Sequence, residues 1–364
     1  MRSGSNSSRR NRSANLLRFV HRWSGGAIGL LLAIMGLSGA LLAHKDLWIN
    51  LPHVSDPQMQ QSSTLASAVE TILAGRNPPP KIIFFATKEF GLNRLVMTDG
   101  SGAYTDQTGR VVAQWASKWE RPEIWLFDLH HYLLSGETGE TVAGILALFG
   151  LLFVLTGLFL WWPLRKSFRP RVLPPRPSRP AIVRHHRDLG AIMAPLLLIS
   201  FATGAMMVFR PLTAIALGPD APQEIEEALQ LPAPRQGMLA PDFDWKRVLD
   251  MTQSRFPGGE IRLIAFPSPG NGMVKIQVRQ NEEWLPNGRT MLWFSADAGE
   301  LVDVRDERAM PRSVRAYNKI YPIHSGKTGS LLWRLAVTVS GLSLGLLGML
   351  AAWAFWRELI TRRS

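Results

Sequence analysis

The segment that decides the fold is Val20–Ala43, which reads V-H-R-W-S-G-G-A-I-G-L-L-L-A-I-M-G-L-S-G-A-L-L-A. Residues 26–43 carry no charge, and a helix of about 20 apolar residues is long enough to cross the hydrocarbon core of a bilayer. His21 precedes this apolar run and His44 follows it directly. The segment therefore predicts a membrane-spanning helix with one histidine at each edge.

Three further runs of similar length also lack charged residues: 142–162, 189–209 and 335–356. Together the four runs predict an α-helical membrane protein with four transmembrane helices. The first run is longer than the apolar part of a typical signal peptide, and it leads into H-K-D-L-W at residues 44–48 instead of a small-residue cleavage site. We therefore expect the first run to be retained as a helix.

The net charge of +13 is unevenly distributed along the chain. Residues 1–25 carry six arginines and no acidic residue, and residues 163–188 carry eight basic residues against one acidic residue. The long segments are balanced, with eight basic and eleven acidic residues in 45–141 and fifteen of each in 210–330. Basic residues concentrate in the cytoplasmic segments of membrane proteins, so this pattern indicates a lipid bilayer and no nucleic acid as the partner. We expect both termini in the cytoplasm of a bacterium, the helices in its inner membrane and the two long segments in the periplasm.

Each long segment shows one helical pattern followed by several strand-like stretches. Residues 62–76 and 244–256 have apolar side chains at helical spacing. The stretches rich in β-forming residues and separated by Gly, Pro and Asn turns are 81–87, 93–98, 103–106, 110–115, 260–266, 273–280 and 290–294. We therefore expect two small periplasmic α+β domains, each a helix packed on its own antiparallel sheet.

The same order of helix, α+β domain and helix in both halves indicates an internal duplication. The edges of the apolar runs repeat as well. H-R-x-x-G occurs at residues 21–25 and 186–190, and S-G-x-T-G occurs at residues 135–139 and 325–329. Because each half crosses the membrane twice, we expect parallel repeats related by an axis along the membrane normal.

These patterns predict the following division of the chain: a disordered basic N-terminus (1–15), transmembrane helix one (16–44), periplasmic domain one (45–141), transmembrane helix two (142–162), a basic and proline-rich cytoplasmic linker (163–188), transmembrane helix three (189–209), periplasmic domain two (210–329), transmembrane helix four (330–357) and a cytoplasmic tail (358–364).

The eight histidines lie at or near the edges of the apolar runs, and the chain has no cysteine. Without cysteine there are no iron–sulfur clusters, no thiolate zinc sites and no covalent haem attachment through C-x-x-C-H. Three interpretations of the histidines remain: interfacial side chains, a mononuclear metal site, or haem iron held by two imidazoles. A mononuclear site usually shows two histidines at i, i+4 or a nearby H-x-x-E spacing, and this chain lacks both. An iron porphyrin leaves two axial positions that imidazoles from two helices can fill, so the pattern favours haem.

Equivalence of the two halves suggests how the histidines pair. His21 and His186 occupy matching positions near the cytoplasmic edge, where Arg22 and Arg187 are candidates to meet haem propionates. Near the periplasmic edge His324 pairs with either His130 or His131, and His44 is a competing ligand; His53 and His185 are expected to be bystanders. His21 and His44 are separated by about 34 Å of helix at 1.5 Å per residue, so one haem cannot use both.

The motifs H-R-W-x-G (21–25), L-H-x-x-L-L-x-G-x-x-G (129–139), H-R-x-L-G (186–190) and H-S-G-K-T-G (324–329) resemble the PepSY-associated transmembrane family. Within that family the arrangement is similar to the single-chain inner-membrane ferrisiderophore reductases. The resemblance covers roughly residues 16–358 and implies that the two periplasmic domains are PepSY-like.

The resemblance further implies an oxidoreductase with two non-covalent b-type haems that reduces a periplasmic Fe(III)-siderophore, of hydroxamate or similar type, and releases Fe(II). The implied axial ligands are His21, His130, His186 and His324, with His44 and His131 adjacent. The chain has no nucleotide-binding motif, so the electron donor would be a membrane quinol or a separate reductase. No catalytic acid–base or nucleophile constellation is visible in the sequence. The alternatives are a non-enzymatic PepSY protein that binds or regulates a partner, or a siderophore or haem transporter.

Overall fold

The computed structural model describes residues 4–76, 78–170 and 178–361. Within these residues the α-helices are α1 (Gly4–Leu42), α2 (Lys45–Trp48), α3 (Ser62–Ala74), α4 (Pro122–Tyr132), α5 (Gly136–Trp161), α6 (Arg179–Val208), α7 (Thr213–Leu217), α8 (Ala221–Leu229), α9 (Trp245–Arg255), α10 (Arg312–Tyr317), α11 (Ile320–Ser325) and α12 (Leu331–Thr361). The strands are β1 (Ile82–Phe84), β2 (Asn93–Val96), β3 (Gly102–Thr105), β4 (Val111–Trp115), β5 (Glu260–Ala265), β6 (Met273–Arg279), β7 (Thr290–Ser295) and β8 (Leu301–Arg305).

The chain divides into two compact units. The helical unit contains the chain up to Ala43, residues Leu126–Leu212 and the chain from Ile323 onwards. The sheet unit contains His44–Trp125 and Thr213–Pro322. The chain therefore leaves the helical unit twice, after α1 and after α6, and each of the two segments that follow forms part of the sheet unit.

In the described part of the chain, four helices are long and apolar enough to cross a membrane: Asn15–Leu42, Gly136–Ser167, Arg179–Val208 and Leu331–Thr361. The four spans expected from the sequence are thus present as helices, and the chain is a membrane protein. In the bundle α1 packs against α5 and α12, and α6 packs against the same two helices. It follows that α1 and α6 occupy opposite corners of the bundle.

Glycines set the close contact between α1 and α12. A Cβ on Gly341 would lie 2.5 Å from the carbonyl oxygen of Gly36, and one on Gly29 would lie 2.9 Å from the carbonyl oxygen of Gly348. Lipid chains are as apolar as the helices, so helices in a membrane associate through such close backbone packing more than through the hydrophobic effect. Two glycine contacts, seven residues apart on each helix, therefore fix how α1 and α12 pack.

The sheet unit contains one eight-stranded sheet, in which every neighbouring pair is antiparallel and the order is β4-β3-β2-β1-β5-β6-β7-β8. We expected two separate sheets, but β1 pairs with β5, with Ile83 opposite Ile264. An unpaired strand edge leaves backbone N–H and C=O groups exposed, and joining the two edges satisfies them. The two long segments therefore build a single domain.

The core of the sheet unit draws on both long segments. α3 and α9 pack against each other, and Val69 and Leu249 from these helices are fully buried in the same cluster as Ile83 and Ile264. Full burial of each such side chain contributes about 1.5–3 kcal/mol. The predicted helices and strands agree with α3, α9 and β1–β7 to within a few residues at their ends.

Other predicted boundaries differ from the structure. The basic N-terminus, expected to be disordered, is helical from Gly4, and α6 begins at Arg179 within the predicted linker. The proline-rich part of that linker at 171–177 lies outside the described residues. The short helices α4, α7, α8, α10 and α11 were not expected from the sequence.

Candidate functional site

Two histidines meet between the opposite corners of the bundle. His21 on α1 and His186 on α6 have ring centroids 6.4 Å apart, with ring planes at 84°. Phe153 of α5 contacts the edge of the His21 ring at 5.3 Å between centroids. We call His21 and His186 the first histidine pair.

A hydroxyl group fixes the orientation of His21. Thr156 of α5 donates its hydroxyl proton to the carbonyl of Leu152 at 2.7 Å, and its Oγ1 lies 2.9 Å from Nδ1 of His21. Because the hydroxyl proton is already used, Oγ1 accepts the proton of the imidazole Nδ1–H. The other ring nitrogen, Nε2, then carries the lone pair that can bind a metal.

A second pair of histidines lies in the two short helices that directly precede α5 and α12. His130 near the end of α4 and His324 in α11 have ring centroids 6.2 Å apart, and these short helices precede α5 and α12. Burial lowers the pKa of both imidazoles, so both rings are neutral at neutral pH. We call His130 and His324 the second histidine pair.

Both imidazoles of the second pair are also held through Nδ1. Nδ1 of His324 donates to the carbonyl of Ser200 at 3.1 Å and lies 3.0 Å from Oγ1 of Thr203, whose own proton goes to Ile199. A carbonyl can only accept, so the proton of His324 is on Nδ1. Nδ1 of His130 lies 3.0 Å from Oγ of Ser38, which donates to a carbonyl of its own helix.

A glycine directly follows each of these hydroxyl residues and leaves room for the ring. A Cβ on Gly39 would lie 2.9 Å from Cε1 of His130, and one on Gly204 would lie 3.2 Å from Cε1 of His324. On Gly157 the distance to Cε1 of His21 would be 3.6 Å. We refer to Ser38-Gly39, Thr156-Gly157 and Thr203-Gly204 as the hydroxyl–glycine pairs.

A strained turn positions His130 and His131. Leu133 and Leu134 follow α4 with positive φ angles of 45° and 62°, a region that bulky residues rarely adopt. The N–H of Leu134 donates to the carbonyl of Asp128, and a Cβ on Gly139 would clash with the carbonyl of Tyr132 at 1.6 Å. The turn therefore needs a glycine at this point of the S-G-x-T-G motif.

The spacing within each pair suits two ligands of one metal. An imidazole–metal bond is about 2.0 Å long and the nitrogen lies about 1.2 Å from the ring centre, so two imidazoles on opposite sides of one metal have ring centres roughly 6.4 Å apart. The observed 6.4 and 6.2 Å match that spacing. Among the described residues no group of three or more His, Asp or Glu side chains is arranged to hold a metal ion. Two imidazole nitrogens suit a metal whose remaining positions a porphyrin fills, so the residues fit haem.

His131, His44 and His53 are not members of either pair. The ring of His131 stacks on Phe127 at 5.4 Å and its Nε2 is 4.0 Å from Glu140. His44 precedes the short helix α2 and belongs to the sheet unit. His53 lies 2.9 Å from Asp56. The structure therefore brings the ring of His324 next to that of His130.

The arginines beside the first pair are bound to carboxylates. Nη1 of Arg22 lies 3.3 Å from Glu358, which also contacts Arg179. Nε of Arg187 donates to the buried Asp188 at 2.8 Å. In this structure Arg22 and Arg187, predicted as partners of propionates, hold acidic side chains of the protein.

The sequence reasoning missed the hydroxyl–glycine pairs as functional residues. A small hydroxyl residue beside a glycine within a spanning helix is equally typical of close helix packing, so the residue types alone do not indicate this role. What the sequence does offer is a repeated spacing between two of these hydroxyl residues and the histidines of the first pair. Ser38 and Thr203 each follow the first-pair histidine of their own helix by 17 residues, His21 and His186 respectively.

Comparison with known proteins supports the family resemblance. A search of curated proteins found no match. The profile described as the PepSY-associated TM region matches residues 18–358, which is nearly the whole chain and includes both histidine pairs. The chain belongs to the PepSY-associated transmembrane family.

Proposed function

We propose that this protein is a haem-dependent oxidoreductase of the bacterial inner membrane that reduces Fe(III)-siderophores in the periplasm and releases Fe(II). The observation that carries the proposal is the presence of two histidine pairs whose ring separations match those of two imidazole ligands of one metal. The first pair lies between the two corner helices and the second lies where the chain re-enters the bundle.

The first histidine pair would hold one b-type haem and the second pair the other. A haem with two imidazole ligands accepts and gives back one electron without needing an open coordination position. Thr156, Thr203 and Ser38 keep the proton on Nδ1 and leave Nε2 as the ligand atom. The glycines beside them exclude side chains that would push the rings out of position.

The two halves of the chain are proposed to be repeats with parallel topology. His21 and His186 are separated by 165 residues, and so are Ser38 and Thr203, which support the two histidines of the second pair. The basic segments 1–25 and 163–188 favour a cytoplasmic position for the first pair. The second pair would then lie towards the periplasm, where it can serve an external electron acceptor.

The reaction transfers one electron to each ferric ion. A membrane quinol that becomes a quinone gives up two electrons and two protons, and so reduces two ferric chelates. The hard oxygen ligands of a hydroxamate bind Fe(II) far more weakly than Fe(III), so reduction releases the metal. The side chains described above position the electron carriers, and the proposal assigns no proton transfer to them.

A transporter finds less support in the helices. Transport sites in membranes are commonly built from helices interrupted near the bilayer centre. α6 contains Pro195 and yet continues from Arg179 to Val208, and α1, α5 and α12 are continuous within their bounds. A binding or regulatory protein without haem would have no need for two pairs of histidines at ligand spacing.

The test uses the full chain in proteoliposomes with a quinol as donor and a ferric hydroxamate outside. A chelator specific for Fe(II) reports the product. We expect Fe(II) to form with the wild-type chain and to be lost in His324→Ala. His53→Ala is the matched control and should retain the wild-type rate. Equal Fe(II) formation by wild-type and His324→Ala chains would refute the proposed activity.

A further inference from the structure

His186 differs from the other three histidines of the two pairs. Its Nδ1 is buried and has no hydrogen-bond partner among the residues that the structure describes, whereas Nδ1 of His21, His130 and His324 is bound to a hydroxyl. The first pair therefore has one supported imidazole, and the second pair has two.

The reason lies in the sequence of α12. The backbone of Met35 faces His130, and Ser38 lies three residues further along α1. In the same way, the carbonyl of Ser200 contacts His324, and Thr203 lies three residues further along α6. The backbone of Leu347 faces His186 without reaching hydrogen-bond geometry. The residue three positions further on is Leu350, which has no atom that can accept a proton. By this spacing, Leu350 has the register position in α12 that Ser38 has in α1 and Thr203 has in α6.

A hydrogen bond from Nδ1–H to an acceptor raises the basicity of an imidazole and fixes its orientation. A more basic ligand stabilises Fe(III) relative to Fe(II), and therefore lowers the reduction potential of the iron. We infer that Ser38 and Thr203 are positioning residues that give the second pair the lower reduction potential, and that the missing hydroxyl at Leu350 gives the first pair the higher one. This inference rests on the proposed function, because it requires a haem at each pair.

The inequality suits a protein that reduces chelates of low potential. With a haem at each pair, iron at the first site would be oxidised from Fe(II) to Fe(III), and its electron would reduce Fe(III) to Fe(II) at the second site. No proton moves, since Nδ1–H stays on each ring. This step is uphill between the sites, and a membrane potential that is negative inside favours movement of negative charge outwards. The lower potential at the second site then makes the final transfer to the ferric chelate more favourable.

The test is a potentiometric titration of the haem spectrum in the purified holoprotein. His130→Ala and His21→Ala chains assign the two midpoint potentials, because each retains one pair. We expect Leu350→Thr to lower the midpoint potential of the first site. Leu350→Val should leave that potential unchanged, because valine has the shape of threonine without the hydroxyl. Thr203→Val should raise the midpoint potential of the second site, whereas Thr203→Ser, which keeps the hydroxyl, should have the wild-type value. Shifts in the low-spin signals of the electron paramagnetic resonance spectrum should follow the same order.

Two outcomes would overturn the inference. One is equal midpoints in Leu350→Thr and Leu350→Val together with no change in Thr203→Val. The other is a lower midpoint at the first site than at the second in the wild-type chain. A wild-type chain without any haem would instead refute the proposed function itself. The two failures are therefore distinguishable in the same sample.

Discussion

Oγ1 of Thr203 lies 3.0 Å from Nδ1 of His324 while its own proton is donated to the carbonyl of Ile199. The hydroxyl can therefore only accept from the imidazole, and His324 is held with Nε2 free to act as a ligand. The next residue, Gly204, gives the ring its space. The contact joins α6 to α11, so a single side chain couples a spanning helix to the histidine that enters the bundle beside it.

We expect Gly39→Ala to remove most of the haem from the second pair. The new methyl group would lie 2.9 Å from Cε1 of His130, and the ring cannot move away without losing its bond to Ser38. The measurement is the haem content of the purified protein. Gly75→Ala, in the sheet unit, is the control, since a Cβ there would lie 3.6 Å from the carbonyl oxygen of Thr71, an ordinary van der Waals distance. Full haem occupancy in Gly39→Ala would show that the glycine is not needed for the ligand geometry.

Gly341→Ala should weaken the contact between α1 and α12. Its methyl group would lie 2.5 Å from the carbonyl oxygen of Gly36, so the two helices must separate. We expect the free energy of unfolding to fall by about 1–3 kcal/mol, as for overpacking elsewhere. Equilibrium unfolding in mixed micelles measures the change. Gly25→Ala provides the comparison, because a Cβ there meets no atom of the described residues within 4 Å. Equal stability of the two variants would contradict the packing described.

Arg262 tests whether the sheet is continuous. Its guanidinium is buried and donates to the carbonyl of Ala86, in the first long segment, and to that of Pro286, in the second. A lysine has a single nitrogen and cannot span both carbonyls, so Arg262→Lys should cost about 2 kcal/mol, the value of a hydrogen bond to a charged group. The more exposed Arg279→Lys should cost less. Unchanged thermal unfolding in Arg262→Lys would argue against the joined sheet.

Local sequence patterns were sufficient to predict the spanning helices, α3, α9 and most strands, because apolar periodicity and turn residues act over short distances. The pairing of β1 with β5 was missed because it depends on edges that are far apart in the sequence and meet only in the folded chain. α4 was missed because its aromatic-rich sequence, P-E-I-W-L-F-D-L-H-H-Y, has no clear apolar stripe.

For the candidate site too, some residues could be predicted from the sequence and others could not. Equivalent positions in the two halves pointed to His21 with His186, and the structure brings these rings together. The choice of His130 over His131 depends on the direction that each side chain takes from α4, which sequence spacing near a helix end does not determine. The role of Thr203 depends on a contact across 121 residues, and its appearance beside a glycine is equally typical of helix packing.

The central claim is that each histidine pair holds one haem, and the most direct test is the number of b-type haems per chain. A pyridine haemochrome assay on purified protein should give two haems in the wild-type chain and in His131→Ala. It should give one in His186→Ala and one in His324→Ala, and none in the double variant. A wild-type chain without haem, or a double variant that keeps both haems, would contradict the account.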